Sequence, residues 1–138
     1  MASYLEHANV TVRSLDEAVR FLCTALPELR VRGRGVGDHG PWLHLGTDES
    51  YLALEEASQD RRGARAPYAD PGLNHLGFVV GDAEAVAARL RAAGYREGFQ
   101  APPHPHRRRV YFFDRDGNED EFVEYLSDDP SKRNDYTT

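Results

Sequence analysis

Residues 4–57 and 73–126 repeat one order of apolar, polar and turn-forming positions, which directs this chain into two copies of one unit. The stretches overlay without a gap at an offset of about 68 positions, counted from His7 onto His75. Each copy opens on an alternating segment. In residues 5–12, Ala8, Val10 and Val12 share one face while His7, Asn9 and Thr11 share the other. In the second copy Leu76, Phe78 and Val80 oppose His75, Gly77 and Val79. A period of two with one apolar face is the pattern of a strand whose other face is left for something else.

A helix follows in each copy. Ser14-Leu15-Asp16-Glu17 has the form of a capping box, and Leu15, Ala18, Val19, Leu22 and Leu26 make an apolar stripe that Pro27 ends. Asp82 is the matching N-cap; Val86, Leu90 and Ala93 line the second stripe, and Gly94 suits the position just past the helix. Three strands are then predicted in each copy, at residues 29–32, 42–45 and 51–56 and at 95–99, 109–113 and 121–126. The predicted fold is α+β, with one βαβββ module over about 4–57 and a second over about 73–126. Residues 58–72 hold Pro, Gly, Ala and charge without periodicity, the composition of a linker. The polar tail 127–138 is expected to be mobile unless it docks on a partner subunit.

Composition narrows the partners. A chain of 138 residues with 40% hydrophobic and 29% charged positions is sized and balanced as one globular domain. Its net charge of −6, without a Lys/Arg stripe, argues against nucleic acid or an anionic membrane as partner. Cys23 is the one cysteine, so no intrachain disulfide can form and a cytoplasmic location is expected. The N-terminus does not read as a basic segment followed by an apolar run, and no apolar stretch has the length of a membrane span.

A single histidine on a strand is most often structural. Here His7 and His75 occupy equivalent positions in the two copies, both opposite the helix-packing residues, and Glu121 starts the last predicted strand. Two imidazoles and a carboxylate suit iron, manganese, zinc or nickel and leave coordination positions open for a substrate. Other candidates carry less. His44 lies on a strand whose faces the pattern does not separate, His104 and His106 read as loop residues, and alternate members of Arg107-Arg108-Arg109 point to opposite sides. Cys23 reads as helix packing.

The order of His7, His75 and the run Asp114-Arg115-Asp116-Gly117-Asn118-Glu119-Asp120-Glu121 resembles the vicinal oxygen chelate superfamily over nearly the whole chain, from about residue 4 to 126. That group includes glyoxalase I, extradiol dioxygenases, fosfomycin-resistance thiol transferases and the metal-free bleomycin-resistance proteins. Its sharpest piece is D-x-D-G-N-x-x-E, whose last carboxylate is a metal ligand in the family; the family usually has Pro where this chain has Arg115. The resemblance implies two modules curving into an open, barrel-like sheet with helices outside. It also implies a homodimer with one divalent metal per site on His7, His75 and Glu121, and a small-molecule substrate chelated through neighbouring oxygens. Glyoxalase I takes a fourth ligand from the last strand of its first half, where the overlay puts Ala53, so three protein ligands are expected. Glu55, two residues on and on the same face, is the candidate general base; a strand bulge would make it a ligand, and a surface carboxylate is the structural alternative. The expected activity is glyoxalase-like lysis or isomerisation, ring-cleaving dioxygenation or thiol transfer. The alternative is a non-catalytic protein that binds a drug or metabolite.

Overall fold

A computed structural model describes residues 3–59, 63 and 66–137. The chain divides into two compact units, residues 1–65 and 66–138. The predicted linker 58–72 spans this division, and its residues 60–62, 64 and 65 lie outside the described residues.

The first unit contains β1 (His7–Val12), α1 (Leu15–Ala25), β2 (Arg30–Gly37), β3 (Gly40–Gly46) and β4 (Tyr51–Glu56). Its sheet has the order β1-β4-β3-β2, with β1 parallel to β4 and the other pairs antiparallel. Alternation gathers Val12, Leu43, Leu45, Leu52 and Leu54 on the face covered by Phe21, Leu22 and Ala25 of α1, all of them buried. The Ser14 hydroxyl accepts the Glu17 N–H at the start of α1. A second carboxylate supports the same helix end: Glu56, at the end of β4, accepts the Leu15 N–H at 2.9 Å.

The second unit repeats the plan with β5 (His75–Val79), α2 (Ala83–Ala92), β6 (Arg96–Glu97), β7 (Arg107–Phe113), β8 (Glu119–Tyr125) and a short α3 (Pro130–Arg133). Its sheet order is β5-β8-β7-β6, again with the first pair parallel. Phe112, Phe122, Val86, Ala87 and Leu90 form its core. Burying a side chain as large as Phe122 contributes about 1.5–3 kcal/mol. Asp82 caps α2 through the Ala85 N–H, and Glu124 of β8 accepts the Ala83 N–H at 3.1 Å. Gly94, at φ +83, takes the left-handed conformation that closes α2. The fold is thus α+β, two four-stranded mixed sheets with one long helix each, and neither sheet closes into a barrel.

Four details depart from the sequence reading. β2 runs on to Gly37 in pairing with β3, an extension hidden in the sequence because Gly33, Gly35 and Gly37 give no apolar alternation to read; Gly35 makes room for the Trp42 indole, where a Cβ would stand 3.0 Å away. β6 holds only two residues, since the Phe99 N–H leaves the ladder to bond the Glu119 carboxylate. The ungapped overlay fails by one residue at β3 and β7, because the loop 114–118 is one residue longer than the loop 47–50; His44 opposite Ala53 therefore matches Tyr111 opposite Glu121. The tail is tied to its own unit, where Arg107 donates to the carbonyls of Arg133 and Asp135 and Arg133 lies over the Tyr125 ring.

Candidate metal centre

The run 114–121 works first as a loop brace. Asp114 Oδ1 accepts the backbone N–H groups of Asp116 and Asn118, both at 2.8 Å, and Oδ2 accepts the Asn118 side-chain amide at 3.0 Å. Gly117, at φ +81, makes the left-handed step that the turn needs. The brace fixes the register in which β8 leaves the loop, so Glu119 and Glu121 share one face and Asp120 faces the core. Burial, with the Asp114 charge nearby, pushes the Asp120 carboxyl up to about 7 despite the Leu76 N–H.

On the open face of the second unit, register brings Gly77 of β5 and Tyr111 of β7 to either side of Glu121. Gly77 has no side chain to fill the space; a Cβ there would already meet Glu121 Oε2 at 3.7 Å. His75 Nε2 stands 3.2 Å from Glu121 Oε2. The other ring nitrogen, Nδ1, is 3.1 Å from the Tyr68 hydroxyl, and that hydroxyl donates to Glu119 Oε1 at 2.9 Å. Glu119 is buried, and its second oxygen accepts the Phe99 N–H at 2.9 Å. Tyr111 lies edge-on to the His75 ring at 5.8 Å. Burial and a hydrogen bond to Glu121 push its phenol up to about 12, so near neutral pH it donates to that carboxylate and does not ionise.

Hydrogen-bond direction then fixes the histidine. With the Tyr68 hydroxyl donating to Glu119, its oxygen is placed to accept from a proton on His75 Nδ1. In a neutral imidazole that leaves a lone pair on Nε2, aimed at a carboxylate oxygen 3.2 Å away. Two lone-pair donors at this distance repel each other unless a cation, a proton or a metal ion, lies between them. The pair fits a divalent transition metal in donor chemistry and orientation alike.

The first unit presents its own histidine. His7 Nδ1 lies 3.0 Å from Glu6 Oε2, so Nδ1 is again the nitrogen engaged by a neighbour. The His7 ring stacks on Tyr51 at 4.8 Å, Tyr51 stacks on His44 at 4.6 Å, and Trp42 follows at 5.0 Å from His44. His44 therefore shares the face of His7 and Ala53. Glu55, half-buried, lies between Thr11 and Trp42 on that same face. β4 pairs in unbroken register along both edges, so it carries no bulge to turn Glu55 toward the Ala53 position.

Of the predicted ligands, His75 and Glu121 stand together in one unit and His7 belongs to the other. Among the described residues, no three His, Cys, Asp or Glu side chains converge in a metal-holding group. His104 and His106 flank a loop in which His104 Nδ1 accepts the His106 N–H. Arg108 pairs with Glu124, and Cys23 packs with its thiol raised by burial. Sequence reasoning missed Tyr68, Glu119 and Tyr111. Only Glu119 left a signal there, as a carboxylate two residues before Glu121 and so on its face.

A duplicated βαβββ unit with a histidine on each first strand and a carboxylate on the last is the architecture of the vicinal oxygen chelate proteins. The chain belongs to the Glyoxalase/Bleomycin resistance protein/Dioxygenase superfamily, whose family model matches residues 4–122. A solved glyoxylase/bleomycin resistance protein/dioxygenase domain from Frankia sp. EAN1pec is 26% identical with a TM-score of 0.74, covering 94% of this chain and 96% of that one. The fosfomycin resistance protein FosX from Mesorhizobium loti shares the fold at 21% identity and TM-score 0.65, covering 96% of this chain and 98% of that one. So does TnmS3, an antibiotic-binding protein from Streptomyces sp. CB03234, at 23% identity and TM-score 0.62, with 90% and 97% covered. No curated protein matches the chain. No helix among the described residues is long and apolar enough to cross a membrane.

Proposed function

We propose that this chain is a divalent-metal-dependent enzyme that binds a small molecule through two neighbouring oxygens. The observation that carries the proposal is the 3.2 Å approach of His75 Nε2 to Glu121 Oε2, an imidazole and a carboxylate brought together on the open face of one sheet. His75 and Glu121 would hold the metal with His7, the equivalent residue of the first module. Bound there, a divalent ion supplies Lewis-acid stabilisation of an oxyanion. The chain's own residues do the rest. Tyr111 donates to Glu121 and keeps that carboxylate oriented. Ala53 leaves the matching position of the first sheet without a donor, which keeps the protein ligands at three and leaves sites for substrate oxygens. Glu55 is the group proposed to take and return the substrate proton. Lysis or isomerisation, ring cleavage and thiol addition all fit this donor set, and fold kinship does not choose among them. We place the protein in the cytoplasm and expect a homodimer.

A second reading has one observation in its favour. The row His7, Tyr51, His44 and Trp42 gives the first sheet an aromatic face suited to a planar ligand, and one structural neighbour is an antibiotic-binding protein. A non-catalytic drug- or metabolite-binding protein would use that face and leave the His75–Glu121 pair to a proton.

The two readings separate on turnover by metal-loaded protein with a methylglyoxal–thiol adduct, a catechol and an electrophile with thiol. Glu55→Gln should lower turnover strongly and leave metal affinity nearly intact, whereas Glu121→Gln should weaken the metal. Tight binding of planar aromatic ligands by metal-free protein, with no turnover of any class, would favour the second reading. Unchanged turnover in Glu55→Gln would remove Glu55 as the base.

A further inference from the structure

Tyr68 is the one non-glycine residue with positive φ among the described residues, at +65. A left-handed backbone is unfavourable for a tyrosine and persists only where its surroundings over-determine it. Packing does not explain it here, because the residue is 63% exposed. Stacking does not either, since the Tyr68 and His75 rings stand 6.3 Å apart and tilted. Local polar contacts hold the turn: Asn74 Oδ1 accepts the Tyr68 N–H at 2.7 Å, and Asp70 Oδ2 accepts the Ala66 N–H at 2.6 Å. What the conformation achieves is the placement of one hydroxyl between His75 Nδ1 and Glu119 Oε1.

We infer that Tyr68 is a positioning residue: it holds His75 in the Nδ1–H tautomer and so aims the Nε2 lone pair at the site shared with Glu121. A relay runs from the backbone outward. The Phe99 N–H fixes one Glu119 oxygen, the other orders the Tyr68 proton, the Tyr68 oxygen receives Nδ1–H, and Nε2 is left to donate. Glu119 sets the direction of the relay by accepting at both oxygens, one from the Phe99 N–H and the other from the Tyr68 hydroxyl. Outer partners of this type set the orientation and donor strength of a ligating histidine. The role of Nε2 as metal donor rests on the proposed function; the tautomer assignment does not.

Tyr68→Phe removes the hydroxyl and keeps the ring, at a position exposed enough to leave folding intact. Two measurements follow on the wild type and this variant. The first is the ring 15N shifts of His75 in metal-free protein above pH 8, where the wild type should show Nδ1–H and the variant a mixture or Nε2–H. The second is Co(II) affinity by direct titration, which should fall about 10–100-fold in the variant. A wild type holding Nε2–H, or a variant with unchanged tautomer and unchanged Co(II) affinity, overturns the inference. A wild type that binds no Co(II) but whose Nδ1–H tautomer is lost in Tyr68→Phe supports the positioning role while removing the metal reading.

Discussion

Glu124→Ala removes a support that the fold uses twice. Glu124 Oε2 accepts the N–H of Ala83, the first residue of α2, and the equivalent Glu56 accepts the N–H of Leu15, the first residue of α1. Both carboxylates sit at a helix N-terminus, where unpaired N–H groups and the helix dipole favour negative charge. The cost should differ between the two. Ala83 is buried at 1% exposure, so water cannot replace the lost acceptor, and an orphaned donor bonded before to a charged group costs about 2–3 kcal/mol. Leu15 is only half-buried, so hydration limits the loss in Glu56→Ala to about 1 kcal/mol. The ion pair of Glu124 with Arg108 adds little, since Arg108 is 64% exposed. Urea unfolding gives the free energies, and hydrogen exchange at the Ala83 amide gives the local test. Glu124→Ala should cost more than Glu56→Ala, Arg108→Ala should fall within about 0.5 kcal/mol of wild type, and the Ala83 amide should lose protection. A cost for Glu124→Ala no larger than that of Arg108→Ala, with the amide still protected, would refute the reasoning.

Gly98→Ala places a Cβ against the Glu119 carboxylate and the Phe113 ring, so it should destabilise by about 1–3 kcal/mol in denaturant unfolding; a neutral result would mean that Glu119 is not held where the hydrogen bonds put it. Burial raises the Cys23 thiol, so native protein at pH 8 should react with a disulfide reagent more slowly than protein in urea, and faster as pH rises; equal rates would contradict this. Sedimentation at micromolar concentration should give twice the 15.5 kDa chain mass, and a monomer alone would remove the proposed dimer.

Much of the fold was legible because its signals are local. Alternation in β1 and β5, the caps Ser14 and Asp82 and the turn at Gly94 each act within a few residues, and the duplication repeats the alternation and the caps. β2 was underestimated because Gly33, Gly35 and Gly37 carry no side chain to alternate; backbone pairing with β3 and the bulk of Trp42 decide its length. β6 was overestimated because its competitor for the Phe99 N–H is Glu119, twenty residues away. At the site, His75 and Glu121 were readable from equivalence and motif. Tyr68 was not: it lies in an aperiodic linker, and its meaning comes from a left-handed backbone and a bond to a carboxylate 51 residues on.

We propose above that His7, His75 and Glu121 hold a divalent metal. Elemental analysis of protein purified without chelator, run beside His7→Ala, His75→Ala and Glu121→Ala, tests it most directly. About one metal ion per chain is expected in the wild type and none in the variants, with each variant still unfolding cooperatively, since none of the three side chains is buried in a core. Metal content unchanged in the His75 and Glu121 variants, or no metal in the wild type even after incubation with zinc, manganese, nickel or ferrous iron, would contradict it.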